Sequence, residues 1–437
     1  MGIWAIIVGF TSILSQSTAA VNTNIIREVA EADDVSFRNK ASILIVNGLV
    51  IYLVLFILLS AFVIGSFIIL FKENFFEYLS LIGIILSSIF INLLATIFSS
   101  VLDARRLNFI KNSFLAIANV LFISLCFFTI SSWGLKGVAI AQLIQASLLL
   151  LFVLFYILYK MQLRFSLKSL SKQQVLLFFR DSWKLQCISL LVLCYEPITK
   201  YFLSKYGLTY VAKYEIANKI IAQVRNIFAI ANQTLLSYFV TKLTQGKQIF
   251  IDYYVKVSRK NTNWAFISNG LLLIITPLIS LFFLKNIDWN FILIFTILLI
   301  SNLVNIVSIT PYFNFFAQKK YNVPFISHSI IAVLNIGLSL LLGFLFNGIG
   351  VVIAWSASLL IGSIYIIYLF NKMELVNNSI KSFKDKFTLT FSLLAASAAA
   401  LYAIYMFAIP IQQYSIIIGI FIILFLYQAF KSYQINE

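Results

Sequence analysis

Residues 104–142 read ARRLNFIKNSFLAIANVLFISLCFFTISSWGLKGVAIAQ, and a similar pattern returns at 317–355 as AQKKYNVPFISHSIIAVLNIGLSLLLGFLFNGIGVVIAW. Each stretch has a basic pair, a first apolar segment, and a second apolar segment that opens with a glycine-rich run. Apolar helices resemble one another by chance, so the polar landmarks carry the comparison. Arg105-Arg106-Leu107-Asn108 matches Lys319-Lys320-Tyr321-Asn322, and Gly137-Val138-Ala139-Ile140-Ala141 matches Gly350-Val351-Val352-Ile353-Ala354, at an offset of 213–214 residues. The sequence therefore predicts an internal repeat of helix pairs.

The composition of the whole chain agrees with a membrane protein. It has 437 residues, of which 61% are hydrophobic and 11% charged, and its mean hydropathy is +0.98. A soluble domain is roughly 45–50% apolar and about 25% charged. These values exclude a soluble enzyme, a nucleic-acid-binding module and a disordered protein. They predict an all-α, polytopic membrane protein whose first partner is the lipid bilayer and which has no nucleic-acid partner.

Thirteen segments are apolar and long enough to cross a bilayer, which needs about 20 residues per helix. They cover approximately 3–25, 42–70, 78–100, 109–130, 135–158, 183–204, 211–240, 262–284, 289–315, 323–346, 349–370, 388–409 and 413–430. The repeat superimposes segments 4 and 5 on segments 10 and 11, a shift of six. Because six is even, both copies have the same orientation in the membrane, as in the parallel halves of some transporters.

The repeat predicts two pseudo-symmetric six-helix lobes followed by two C-terminal helices. The counterpart of segment 6 would lie upstream of Met1, so we expect the first lobe to lack its first helix; a natural thirteen-span protein is the alternative. The expected divisions are an N-terminal lobe (1–160), a cytoplasmic amphipathic linker (161–182), a C-terminal lobe (183–372), and a region with a cytoplasmic loop, two spans and a tail (373–437).

The net charge of +17 sets the orientation. Of the 32 lysines and arginines, 22 fall in loops after odd-numbered segments and 5 in loops after even-numbered ones. Cytoplasmic loops carry the excess of basic residues. The sequence thus predicts a multi-pass protein of the cytoplasmic membrane with its C-terminus inside.

Ionisable residues at bilayer depth are costly and are candidates for function. Glu196 and Lys200 lie four residues apart in segment 6, and so do Glu215 and Lys219 in segment 7. In an antiparallel hairpin centred near 207.5, Lys200 lies level with Glu215, and Glu196 lies level with Lys219. The four charges therefore predict two crossing ion pairs, which either lock two helices together or line a cavity and change partners during transport.

Arg225, in segment 7, has no partner by the same geometry, since its mirror position is Leu190. A guanidinium suits a phosphate ligand, which it binds in a bidentate manner; a structural contact is the alternative. Arg27 ends segment 1 and is either an interface anchor or a guide for an anionic headgroup. His328, the single histidine, is interpreted as a packing residue rather than a proton relay. The pattern predicts no metal site, cofactor or catalytic group, and leaves coupling to Na⁺ or H⁺ open.

The segment 194–225, CYEPITKYFLSKYGLTYVAKYEIANKIIAQVR, resembles the helix pair that opens the second lobe of polysaccharide biosynthesis (Wzx-type) flippases, in the multidrug/oligosaccharidyl-lipid/polysaccharide exporter superfamily. The N-terminal GIWAIIVGF and NTNIIREVA resemble that family's second helix and the loop after it. The resemblance implies two lobes around a central cavity open alternately to each side. It also implies Lys200, Lys219 and Arg225 as substrate-binding cations, with Glu196 and Glu215 as their charge partners.

The resemblance implies a non-enzymatic flippase that moves an undecaprenyl pyrophosphate-linked oligosaccharide across the membrane for surface polysaccharide, such as O-antigen of lipopolysaccharide. A polysaccharide polymerase and glycosyltransferases are the expected partners. An ion-coupled multidrug or small-molecule exporter of the same superfamily is the nearest alternative. A membrane-embedded polymerase or ligase is another, and a purely structural membrane subunit remains open. A polymerase or ligase predicts a sizeable outer loop or an exposed His/Asp pair, which the sequence lacks.

Overall fold

The computed structural model of the protein describes residues 19–33, 36–70, 75–165, 170 and 172–374, with isolated positions at 399, 419–421, 423–424 and 427. These residues form helices and no strand. The helices are α1 (Ala19–Ala30), α2 (Phe37–Leu70), α3 (Phe75–Ala104), α4 (Asn108–Phe155), α5 (Lys172–Ser204), α6 (Leu208–Thr234), α7 (Leu236–Gln245), α8 (Lys247–Leu284), α9 (Trp289–Ala317) and α10 (Asn322–Glu374). A π-helical turn, Tyr156–Lys160, extends α4.

The predicted all-α membrane fold is confirmed. Seven of the described helices are long and apolar enough to cross a membrane, and α6 is not among them because it carries more polar residues. The predicted segments 388–409 and 413–430, and most of 3–25, lie outside the described residues, so the number of thirteen spans stays a prediction. The four predicted divisions of the chain also stay predictions.

Helix α4 is a hairpin of two helices. The chain reverses at Gly134, which has non-helical backbone angles (φ 52°, ψ −131°), and the helix before it packs against the helix after it. Gln145 Nε2 donates a hydrogen bond to Asn119 Oδ1 at 2.5 Å. The Phe114 and Phe152 ring centroids are 5.5 Å apart. The two halves correspond to the predicted segments 109–130 and 135–158.

Helix α10 reverses in the same way, at Phe346 and Asn347, where Asn347 has φ 54° and ψ −141°. Its halves are joined by a hydrogen bond from Ser327 Oγ to the Gly362 carbonyl at 2.8 Å. Asn347 and Gly134 are 213 residues apart and have nearly the same backbone angles. Asparagine tolerates positive φ better than most residues with a side chain, which is why it can replace glycine here.

The helices before the two hairpins end in the same capping motif. Arg106 (φ 63°) and Lys319 (φ 60°) are both left-handed. The following amide donates back across the turn in each case: Leu107 to the Leu102 carbonyl at 2.8 Å, and Lys320 to the Phe315 carbonyl at 2.9 Å. This is a Schellman cap. The predicted repeat is therefore confirmed in local geometry, but Arg106 corresponds to Lys319 and not to Lys320, so that part of the sequence alignment was wrong by one residue.

The chain divides into two compact units. Unit 1 comprises Met1–Leu193 and Leu236–Thr244, and unit 2 comprises Cys194–Leu235 and Gln245–Glu437. In unit 2, α9 is the central helix and packs against α6, α8 and α10. Its side chains Phe291, Phe295 and Phe315 are fully buried.

Three segments differ from their predicted extents. Helix α6 ends at Thr234 rather than running to 240, and α7 follows after Leu235. Helix α8 is continuous from Lys247 to Leu284, so most of the basic segment 241–261 belongs to the same helix as the span after it. Helix α5 begins at Lys172, inside the predicted linker. Helices α5 and α8 continue through polar residues because their backbone hydrogen bonds are satisfied within the helix.

Candidate functional site: an acid–base array on a helical hairpin

The site is built on the hairpin formed by the C-terminal part of α5 and by α6. The turn between them contains Gly207, whose φ of 124° is rarely adopted by a residue with a side chain. A turn this short makes the two helices antiparallel, so that residues on α5 lie level with residues on α6. The sequence predicted this register.

Four charged residues on the hairpin form a continuous chain of ion pairs, which we call the acid–base array: Glu196, Lys200, Glu215 and Lys219. Lys200 Nζ lies 2.5 Å from Glu196 Oε1 and is also paired with Glu215 across the hairpin. Lys219 Nζ lies 2.9 Å from Glu215 Oε1. The charges alternate and sum to zero.

One of the two predicted cross-helix pairs is present and the other is not. Lys200 pairs with Glu215 as expected. Among the described residues, Lys219 forms an ion pair with Glu215 and none with Glu196. The Lys219 side chain is 71% exposed and pairs with Glu215, four residues earlier on the same helix.

A buried polar contact holds the hairpin against α10 beside the array. Thr199 is fully buried, and its hydroxyl donates to the Tyr195 carbonyl at 2.9 Å. Asn335 of α10 donates to Thr199 Oγ1 at 3.1 Å. Tyr214, next to Glu215, is also fully buried. The sequence prediction missed these supporting residues; for Thr199 and Tyr214 the available signal was a polar residue directly before a charged one in the sequence.

Arg225 lies farther along α6, about 15 Å from Glu215 at ~1.5 Å per residue. Its guanidinium makes no hydrogen bond or ion pair to any residue that the structure describes. Tyr214 and Glu196 act on it electrostatically. The structure thus brings four of the five predicted site charges together, and Arg225 forms no ion pair with a described residue, as its mirror position predicted.

Each end of α6 is fixed to its neighbours by polar contacts. Near its start, Lys213 pairs with Asp288 at 2.6 Å, and Asp288 Oδ1 accepts the Phe291 amide at 3.0 Å, which caps α9. Burial raises the pKa of Asp288, but the Lys213 ammonium and the Phe291 amide outweigh this effect, so its pKa is lowered overall. Asp288 therefore remains ionised and paired at neutral pH.

At the other end of α6, Asn261 of α8 joins α6 to α9. Its side-chain amide donates to Asn232 Oδ1 at 2.8 Å and to Thr310 Oγ1 at 2.7 Å. Asn232 and Thr310 are both fully buried. Helix α6 thus runs beside α9 over most of the length of that span.

One face of α6 is exposed and mostly polar. Its residues recur with spacings of four and three: Lys219, Gln223, Asn226, Ile230 and Gln233, of which Ile230 is apolar. We call this face the polar stripe. On the opposite face, Ala217, Ile221 and Asn232 are buried. This polar stripe was also missed from the sequence, although the helical spacing of polar residues in a segment expected to be apolar was the available signal.

His328 is held by an aromatic cage in unit 2. The Tyr195 hydroxyl lies 2.9 Å from His328 Nδ1 and 2.9 Å from the His328 carbonyl oxygen, to which it donates. The Tyr312 ring meets the histidine edge-on, with centroids 5.6 Å apart. This geometry agrees with the interpretation of His328 as a helix-packing residue.

Arg27 lies in unit 1 and is 2% exposed. Its guanidinium pairs with Glu28 and, at 3.2 Å, with Glu31, while Lys40 pairs with Glu28 at 3.1 Å. These contacts favour the anchoring role over guidance of a headgroup. Across the described residues, no group of three or more His, Cys, Asp or Glu side chains could hold a metal ion.

Comparison with solved structures identifies the fold. A MATE structure in the bent conformation matches with a TM-score of 0.70 and 16% identity, covering 87% of each chain. A point mutant of the Vibrio cholerae MATE transporter VcmN matches with a TM-score of 0.67 and 16% identity, covering 87% of this chain and 88% of that chain. The lipid II flippase MurJ, in an inward closed conformation, matches with a TM-score of 0.63 and 18% identity, covering 98% of this chain and 92% of that chain.

No protein-family model matches the chain, and no curated protein sequence matches it. The comparisons thus show a fold similar to that of the MATE transporter structures and of the MurJ structure.

Proposed function

We propose that the protein is a flippase that moves an undecaprenyl pyrophosphate-linked oligosaccharide across the cytoplasmic membrane by alternating access, for surface polysaccharide biosynthesis. It belongs, on this proposal, with the Wzx-type flippases. It receives its substrate from glycosyltransferases and delivers it to a polymerase. The fold supports transport, and the charges on α6 support an anionic substrate.

Arg225 is the observation that carries the proposal. Lys213 and Lys219 on the same helix are both ion-paired, and so is Lys200 on α5. Lys200 and Lys219, which the sequence predicted as substrate-binding cations, are therefore less available to a ligand. Arg225 has no ion pair to a described residue, and a cation at membrane depth is costly without an anionic partner. A pyrophosphate supplies that partner, since its oxygens match the forked donors of a guanidinium.

The acid–base array then has a supporting role. It is neutral as a whole, so it adds little net field, and it fixes the α5–α6 hairpin that carries Arg225. Because Glu196 is half-exposed with a single lysine partner, it is the member most able to exchange partners during a transport cycle. Alternation between a closed array and a substrate-bound one is the mechanism that we propose.

The test is a reconstituted flipping assay with a fluorescent polyprenyl pyrophosphate-linked sugar in proteoliposomes. We expect Arg225→Ala to slow flipping by about 100-fold, as expected for two lost charge-assisted hydrogen bonds. Arg225→Lys should be intermediate because an ammonium is a point charge without the fork. Lys256→Ala, which removes an exposed cation from α8, is the matched control and should flip normally.

An ion-coupled exporter is the second candidate, favoured by the similarity to MATE transporters and by the half-exposed carboxylate of Glu196. In that case Glu196→Gln should abolish export of a cationic dye, and Arg225→Ala should leave export intact. Normal flipping by Arg225→Ala would contradict the flippase proposal.

A further inference from the structure

The polar stripe of α6 lies at bilayer depth. Lys213, near the start of α6, pairs with Asp288 at the start of the α9 span, and Asn232 is linked through Asn261 to Thr310 near that span's other end. From Lys213 to Asn232 the helix rises about 28 Å at ~1.5 Å per residue, close to the ~30 Å thickness of the hydrocarbon core. Helix α6 therefore crosses the membrane although its composition is polar.

The polar side chains of the stripe are unsuited to lipid hydrocarbon, although Ile230 within it and the neighbouring Ile227 are exposed apolar residues. Gln223, Asn226 and Gln233 are exposed, and Lys219 is 71% exposed. At about 100° per residue, these side chains fall within roughly 80° of one helix face. An amide in hydrocarbon without a hydrogen-bonding partner costs several kcal/mol, so polar faces at this depth line water or a polar ligand. The opposite face is apolar: Val224 and Phe228 pack against the buried Ala265 and Ile306.

The chemistry of the stripe is suited to hydroxyl groups. Each Asn or Gln side chain offers two donors and one acceptor oxygen, the combination that a sugar hydroxyl both donates to and accepts from. Apart from Lys219, which is neutralised by Glu215, the stripe is uncharged. Phosphate recognition at Arg225 is therefore separate from recognition along the stripe.

We infer that Gln223, Asn226 and Gln233 form a recognition site for the sugar part of a lipid-linked substrate. This inference rests on the proposed flippase function and adds to it the residues that distinguish a glycan-bearing lipid from a bare one. It also accounts for a membrane-crossing helix whose exposed face is rich in amides.

The experiment compares two probes in the same proteoliposomes: a fluorescent polyprenyl pyrophosphate that carries a disaccharide, and the same polyprenyl pyrophosphate without a sugar. The test variant is Gln223→Leu/Asn226→Leu, which preserves side-chain size closely. We expect it to lower the ratio of glycan-bearing to bare lipid flipped by about tenfold, equivalent to about 1.4 kcal/mol.

Two controls separate recognition from folding. Gln223→Asn/Asn226→Gln retains both amides and should keep most of the wild-type ratio. Ile230→Ala removes an apolar side chain from the same face and should change both probes equally. A ratio unaffected by Gln223→Leu/Asn226→Leu, whether both probes slow together or neither does, overturns the inference and leaves the flippase proposal standing. Failure of the wild-type protein to flip either probe overturns both.

Discussion

Lys200 joins the ion pairs of the two hairpin helices, because it pairs with a carboxylate on each of them. It lies between two carboxylates, one on its own helix and one on the next, and its side chain is 31% exposed. Removing one member of a partly buried ion pair leaves the other charge without compensation, which costs more than removing both. The same reasoning applies to Glu215, which lies between two lysines.

The first prediction is a double-mutant cycle at this pair. We expect Lys200→Met and Glu215→Gln each to destabilise the protein by about 1–2 kcal/mol, and the double variant to cost less than their sum by about 1 kcal/mol. The measurement is thermal unfolding in detergent, with Lys256→Met as a control for the loss of an exposed lysine. Strictly additive effects would show that the two residues are not coupled.

Residues also differ in how far the sequence predicts their contacts. The Lys200–Glu215 pair was predictable because the register of a hairpin with a short turn follows from counting residues. The choice of Lys219 between Glu196 and Glu215 was not, because it depends on side-chain direction. The contact between Tyr195 and His328 joins residues 133 apart, and only the packing of α5 against α10 brings them together.

At the scale of the element, α4 and α10 are both helical hairpins with the same kind of reversal, formed by different residues. Both hairpins reverse at a left-handed position and place a glycine three residues later, at Gly137 and Gly350. A Cβ on Gly137 would lie 2.5 Å from the Thr129 carbonyl oxygen, and one on Gly350 would lie 1.8 Å from the Leu342 carbonyl oxygen. The glycine-rich runs that revealed the repeat are therefore required for close helix approach.

We expect Gly350→Ala to force the two halves of α10 apart and to destabilise the protein by about 1–3 kcal/mol. Gly337→Ala is the matched control in the same helix, since nothing lies within 4 Å of its Cβ position, and it should be neutral or stabilise by up to about 1 kcal/mol. Thermal unfolding of the two purified variants provides the comparison. Equal melting temperatures would rule out close packing at Gly350.

The start of α9 gives a pH prediction. The pKa of Asp288 is lowered in the folded protein, so its pairing with Lys213 contributes stability above the unfolded pKa of about 3.8. That contribution is lost as pH falls through the folded pKa. We expect the melting temperature of the wild type to exceed that of Asp288→Asn at pH 7 and the difference to shrink below about pH 4.

Asparagine caps a helix about as well as aspartate, so Asp288→Asn isolates the charge. Lys213→Met should reproduce the loss at neutral pH by removing the other partner. A difference between wild type and Asp288→Asn that stays constant with pH would assign the effect to something other than the ion pair.

At the scale of the whole molecule, the distribution of basic residues predicts the orientation. The turn between α5 and α6, which contains Lys205, should lie outside the cell, and the basic N-terminal part of α8, which contains Lys256, should lie inside. Composition and hydropathy were sufficient to predict the all-α membrane fold. They did not reveal how polar α6 is: the sequence predicts a span at 211–240, but α6 is not among the seven described helices that are apolar enough to cross a membrane.

We expect Lys205→Cys to react with a membrane-impermeant thiol reagent in intact cells, and Lys256→Cys to react only after permeabilisation. The background variant replaces Cys126, Cys187 and Cys194 with serine, because Cys194 is exposed. Labelling of the two positions in the reverse order would invert the predicted orientation.

The reversals inside α4 and α10 have a consequence for biogenesis. Each changes direction within one or two residues, at Gly134 and at Phe346–Asn347, so almost no polar loop separates the paired helices along the chain. We expect each pair to enter the membrane as a unit, because no connecting loop could remain outside while only one half is inserted. For the same reason, neither reversal offers an extended peptide segment that a protease could cleave or an antibody could bind.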